Sequence, residues 1–117
     1  MKKTIPLSSG ILNANYSQYV TLGDFSLQLV FAYQQNGQWV LDIIADGDVG
    51  EVPTTTLDDV DYIALGVMLE AGVNLVESYN ISNTFGQLYF TGSEATLNNL
   101  GKENNLVWYS SGDAVTF

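Results

Sequence analysis

Phe25-Ser26-Leu27-Gln28-Leu29-Val30-Phe31-Ala32-Tyr33, followed after a short break by Trp39-Val40-Leu41-Asp42-Ile43-Ile44-Ala45, decides how this chain folds. Large apolar residues hold the odd positions of both runs, and a period of two marks an extended strand whose side chains point to alternate faces. Between the runs stands Asn36-Gly37, a pair favoured in two-residue type I′ turns because both residues tolerate positive φ. A hairpin spanning residues 25–45 is therefore expected. Its even positions are not uniformly polar, since Val30, Ala32, Val40 and Ile44 give it a second apolar face. That face needs a cover. A second layer of the same domain, as in a closed barrel, would serve, and so would a neighbouring subunit, because obligate interfaces resemble a core cut in half.

Strand signals continue on both sides of the hairpin. Residues 16–22 are β-prone, and Gly23-Asp24 offers a two-residue turn with glycine first, joining them to Phe25. Further upstream, Thr4-Ile5-Pro6-Leu7 reads as a first strand, with Pro6 tolerable at an edge or end, and residues 8–15 read as turns. Downstream, residues 46–62 form a long acidic connection holding Asp46, Asp48, Glu51, Asp58, Asp59 and Asp61, expected as a loop or partly ordered arm. Strands are expected again at 63–70, at 73–79 after a turn at Ala71-Gly72, at 86–91 and at 106–110. Ser93-Glu94-Ala95-Thr96-Leu97-Asn98-Asn99-Leu100-Gly101 has hydroxyl residues at a plausible helix start and glycine at a plausible stop, so one short helical turn is expected there. No segment is long enough for the helix of a βαβ crossover. The expectation is an all-β chain, a small antiparallel barrel or sandwich of about six to eight short strands, forming one domain over residues 1–117.

Composition narrows the function. Of 117 residues, 46% are hydrophobic, enough to offset the entropy of ordering the backbone. Thirteen Asp and Glu face three lysines and no arginine, giving a net charge of −10. Lys2, Lys3 and Lys102 are too few to release the counterions of a phosphate backbone, so neither nucleic acid nor an acidic membrane is expected as a partner. No apolar run approaches the length of a membrane span. Pro6, Ser8, Ser9 and Gly10 interrupt the run an export signal would need after Met1-Lys2-Lys3, so the chain is expected to stay where it is made.

Chemistry is hard to place on these residues. Neither His nor Cys occurs, which removes the usual neutral-pH base, the thiol nucleophiles and most zinc ligands together. Asp42, Glu70 or Glu77 could belong to a glycosidase-type carboxylate pair, but no spacing singles one out, and solvated surface carboxylates are the simpler reading. Asp46-Gly47-Asp48-Val49-Gly50 resembles the opening of a calcium loop, yet Gly50 falls where a ligand is needed and Leu57 where the bidentate glutamate would stand. It reads as a plain turn. Trp39, Trp108, Tyr89, Tyr109 and Phe90 could form a stacking platform, but their alternation with apolar residues fits a core. No catalytic residue, cofactor or metal is expected.

With the strands placed, the succession of motifs resembles the baseplate plug proteins of contractile-tailed phages, including simple cyanophage-type tails. The likeness runs through Ile5-Pro6-Leu7, Tyr19-Val20-Thr21-Leu22-Gly23 and Gly37-Gln38-Trp39-Val40-Leu41-Asp42-Ile43. It continues with Asp46-Gly47, Gly66-Val67-Met68-Leu69, Gly72-Val73-Asn74-Leu75 and Thr96-Leu97-Asn98-Asn99-Leu100-Gly101. The resemblance implies a non-enzymatic virion protein that closes the tail tube lumen near the spike. Its implied partners are hub, spike and tail-tube proteins and copies of itself. Val30, Ala32, Val40 and Ile44 on the second hairpin face, with Asp58, Asp59 and Asp61 of the acidic connection, are the candidate subunit contacts. A ligand-binding barrel lined by the aromatics and lidded by the acidic connection is the alternative from another class. A carboxylate hydrolase and a small acidic inhibitor of host proteins stand behind it.

Overall fold

Alternation becomes an antiparallel sheet. In the computed structural model, which describes residues 1–115, the strands in chain order are β1 (Lys2–Ile5), β2 (Asn15–Leu22), β3 (Phe25–Tyr33), β4 (Trp39–Ala45), β5 (Thr55–Leu57), β6 (Val60–Met68), β7 (Gln87–Gly92) and β8 (Asn104–Tyr109). Five of them form a sheet in the order β2-β3-β4-β6-β5, and the other three form a second sheet in the order β1-β8-β7. All pairings between strands are antiparallel and neither sheet closes on itself, so the molecule is the open two-sheet form and not a barrel.

The hairpin forms where expected, but through a different turn. Gln34 N–H donates to the Gln38 carbonyl at 2.7 Å, Gly37 N–H donates to the Gln34 carbonyl at 3.0 Å, and Gly37 carries a φ of 86° while Asn36 does not enter the left-handed region. The loop is thus three residues, Gln35-Asn36-Gly37, with glycine in the left-handed position that follows the tight bend. Face matching explains the extra residue. A two-residue loop would set Tyr33 opposite Val40 and send the large stripes of β3 and β4 to opposite faces. The observed register sets Tyr33 opposite Trp39 and unites them.

Leu27, Leu29, Phe31, Trp39, Leu41 and Ile43 line the inner face and are buried. Leu88, Phe90, Leu106 and Trp108 meet them from the three-stranded sheet and join the same core. Phe25 on β3 touches the Trp108 ring edge-on at 6.4 Å, which ties the two sheets directly. Trp39 Nε1 donates to the Thr96 carbonyl at 2.8 Å and Trp108 Nε1 to the Phe85 carbonyl at 3.0 Å, so each indole is buried without leaving its polar atom unpaired.

Three local expectations need correction. Residues 46–62 are not one loop: β5 and the start of β6 form a hairpin there, with Asp58 and Asp59 at φ of 50° and 63° as its two turn residues. Val49 and Val52 are buried, which anchors the preceding stretch and excludes a free arm. Residues 73–79 make no strand, because Asn74 Oδ1 accepts from Val76 N–H and Leu88 N–H and bends the chain into a 3-10 turn at Glu77–Tyr79. The helical turn expected at 93–101 is absent. There Asn99 Oδ1 accepts from Thr96 N–H, and Asn99 Nδ2 donates to the Glu94 carbonyl, taking backbone groups that a helix would use. A second 3-10 turn lies at Ile11–Asn13.

Gly86 shows how tightly the sheets' rim is closed. Its φ is 114°, and a Cβ there would lie 2.1 Å from the Tyr109 carbonyl oxygen, so only glycine allows the chain to enter β7 beside the end of β8.

Candidate assembly surface

The five-stranded sheet has one face in the core and one turned outward. On the outward face Val30 stands opposite Asp42 and Ala32 opposite Val40, and across the next seam Val40 stands opposite Met68 and Ile44 opposite Tyr62. Ser17, Asn15 and Tyr19 continue the face onto β2, opposite Val30, Ala32 and Gln28. Val30, Ala32, Val40 and Ile44 are half-buried, whereas Tyr19 is 67% and Met68 52% exposed. The four predicted apolar contacts therefore do lie together, and the second layer of the molecule covers the opposite face of their sheet.

The three aspartates divide. Asp58 and Asp59 sit in the β5–β6 turn, at the margin of the outward face. In the register of this hairpin Thr55, Leu57, Val60 and Tyr62 share the outward face with Ile44, while Asp61 pairs with Thr56 on the other face and accepts its hydroxyl. Leu57, 49% exposed, extends the apolar band to the sheet's edge. Tyr19, Leu57 and Met68 are not among the contacts that the sequence suggests. Only strand register reveals them, because each lies on a different strand from the hairpin it joins.

β6 keeps its place on this face by breaking its own alternation. The register shifts between Leu41 and Ile43 and again between Ile43 and Ile44. These bulges let Ile63, Ala64, Val67 and Leu69 all reach the core despite their mixed parity. Asp42 Oδ1 accepts the Gly66 N–H at 2.7 Å, satisfying a donor that the bulge takes off the ladder. Asp42 thus has a structural bond and still contributes a carboxylate to the middle of the outward face.

The smaller sheet differs. Tyr109 and Val107, which alternate away from the core residues Leu106 and Trp108, are buried all the same. The Tyr89 ring meets Tyr109 edge-on at 6.1 Å and the Lys2 ammonium lies 5.7 Å from the Tyr109 ring centre. Around Tyr109 this face is covered by its own side chains.

The remaining sequence candidates do not converge on a reaction centre. Trp39, Trp108, Phe90 and Tyr109 are each 2% exposed or less and Tyr89 is half-buried with its ring edge-on to Tyr109, so the five form no open stacking platform. Glu70 and Glu77 are exposed and flank an open groove of about 420 Å³ that Gly66 and Tyr79 also line, while the Asp42 carboxylate at its edge is engaged by the Gly66 N–H. In Asp46-Gly47-Asp48-Val49-Gly50 the Asp48 carboxylate accepts the Gly50 N–H at 2.8 Å, an ordinary aspartate turn. Among the described residues no three His, Cys, Asp or Glu side chains are grouped to hold a metal ion.

A family model described as the cyanophage baseplate Pam3 plug gp18 matches residues 2–111. The chain belongs to the cyanophage baseplate plug family. The matched span includes all eight strands, so family membership concerns the whole two-sheet fold and not one motif. Members of this family are structural components of the virion's tail baseplate, and the chain has its place there among other baseplate proteins. No curated protein and no solved structure is found to match the chain.

Proposed function

We propose that this plug-family chain closes the lumen of the tail tube next to the spike, as a non-enzymatic subunit present in several copies. It is held there by contacts with hub, spike and tail-tube proteins. The observation that carries this reading is the outward face of the five-stranded sheet. Val30, Ala32, Val40 and Ile44, extended by Tyr19, Met68 and Leu57, leave an apolar band partly open in the isolated chain. A face of this kind suits a protein whose natural state is an assembly. Closure of a tube asks for summed contacts around a ring, each weak enough to release when the spike departs. A slab 36 × 36 × 22 Å, two layers thick, has a broad side large enough for a standard interface of about 800 Å² per partner.

The test is Val40→Glu. The isolated variant should keep the wild-type melting temperature within a few degrees, because position 40 faces away from the core, yet purified tails should lack the chain by mass spectrometry. Cryo-electron microscopy of wild-type and variant tails should then differ at the tube axis. A variant that unfolds in isolation would assign the face to the core, and one that enters tails normally, or a difference at the baseplate periphery, would sink the lumen-closing role.

A further inference from the structure

The distribution of charge names the chemistry of what covers the outward face. Residues 15–68, which contain the whole five-stranded sheet and its turns, carry Asp24, Asp42, Asp46, Asp48, Glu51, Asp58, Asp59 and Asp61 and not one lysine. The rest of the chain has five carboxylates and all three lysines, so the net −10 divides into −8 for the large-sheet segment and −2 for everything else. Lys2 and Lys3 stand on β1 of the other sheet, where Lys2 lies over Tyr109 and Lys3 Nζ donates to the Thr21 carbonyl at 2.5 Å. Lys102 follows Gly101 in the turn before β8.

Resting on the plug role proposed above, we infer that the outward face of the five-stranded sheet docks a basic surface of a different baseplate protein. That surface is apolar at its centre and rimmed by lysine or arginine, and it does not belong to a second copy of this chain. Two such faces meeting about a two-fold axis would oppose two segments of net −8, each with Asp42 near its middle and the Asp58-Asp59 turn at its β5 margin, against one cation per copy, Lys3, at the β2 margin. Like charges opposed across an interface penalise that partner, and they do so most where apolar contact excludes screening water. A cationic rim turns the same carboxylates into attraction. It also gives the band Val30, Ala32, Val40 and Ile44 a partner without mutual repulsion among plug copies waiting in solution. Copies of this chain that meet in a ring do so through other surfaces.

The experiment neutralises the face without altering its shape. Asp42→Asn, Asp58→Asn and Asp59→Asn combined keep an acceptor for the Gly66 N–H and a residue tolerant of left-handed geometry in the turn. The isolated triple variant should melt as the wild type does, while its copy number in purified tails, counted by quantitative mass spectrometry against a hub protein, should fall by about tenfold or more. Sedimentation of the isolated wild type at low ionic strength should show monomer. Normal incorporation of the triple variant overturns the inference, as does a wild-type dimer that Val40→Glu disrupts and the triple substitution strengthens. If wild-type chain is missing from tails altogether, the plug role fails first, an outcome distinct from either of these.

Discussion

Replacing Trp39 by Ala should remove a large share of the stability of this protein. The side chain is 1% exposed, packs edge-on against Tyr33 at 5.5 Å and Tyr16 at 6.3 Å, and donates to the Thr96 carbonyl at 2.8 Å. A buried tryptophan withdraws about 150–250 Å² from water. At about 25 cal/mol per Å² the transfer contribution is about 4–6 kcal/mol, and truncations of buried Phe or Trp in cores cost about 3–5 kcal/mol. Loss of the indole N–H leaves the Thr96 carbonyl to water and adds about 1 kcal/mol or less, since the 93–101 segment lies near the surface. An expected loss of about 4 kcal/mol is a large share of the roughly 5–15 kcal/mol available to a domain. Urea unfolding followed by Trp108 fluorescence and far-ultraviolet circular dichroism measures it, and with a slope of about 1.5 kcal/mol per molar the midpoint should fall by about 2–3 M. Trp39→Phe keeps a ring in place and loses the hydrogen bond, so it should cost about 1–2 kcal/mol. A loss below about 1 kcal/mol for Trp39→Ala would mean that this indole is not packed in the core, and the account of the core would be wrong.

Other substitutions test other links. Gly86→Ala places a methyl group 2.1 Å from the Tyr109 carbonyl at a φ of 114°, and should cost more than about 3 kcal/mol by thermal melting; a change within about 1 kcal/mol would refute the close approach. Asp59→Gly relieves a left-handed aspartate at φ 63° and yields the Asp-Gly pair preferred in two-residue hairpin turns, so stability should rise by about 0.5–1 kcal/mol, and a fall would count against the β5–β6 turn. Burial raises the Tyr16 hydroxyl above its usual 10.0, with the Ser8 N–H bond pulling it partly back. The neutral phenol is therefore the form the fold favours: this contribution is whole below pH 10 and is lost as pH rises through the folded-state value. Tyr16→Phe should flatten the alkaline fall in melting temperature, and an unchanged fall would show that other groups cause it.

How far the sequence carried the reading depended on whether a feature is local. Period-two alternation in 25–33 and 39–45 is a property of consecutive residues, and it was enough to place both strands and sort their large side chains onto one face. The same rule failed at 73–79, where apolar residues signal a strand but the Asn74 side chain captures two backbone donors, one of them across the chain at Leu88. The helix start and stop signals failed at 93–101 for a like reason, since Asn99 and Asn104 tie that stretch into a web of turns. The Asn36-Gly37 signal named the turn's location but not its length, which was settled by the need to bring two hydrophobic stripes onto one face.

The candidate surface divides in the same way. That Val30, Ala32, Val40 and Ile44 lie off the main stripe follows from counting in twos, and that residues 15–68 are acidic without a cation is written in the chain itself. Sequence alone therefore determined an all-β chain, its hydrophobic stripes, its lack of thiol or imidazole chemistry and its lopsided charge. Tertiary structure decided which stripe became core, because a second sheet can cover only one side of the first. It alone gathered Tyr19, Met68 and Leu57 beside the hairpin, because register between strands far apart in sequence depends on bulges and on the packing of the opposite face, neither of which leaves a local mark.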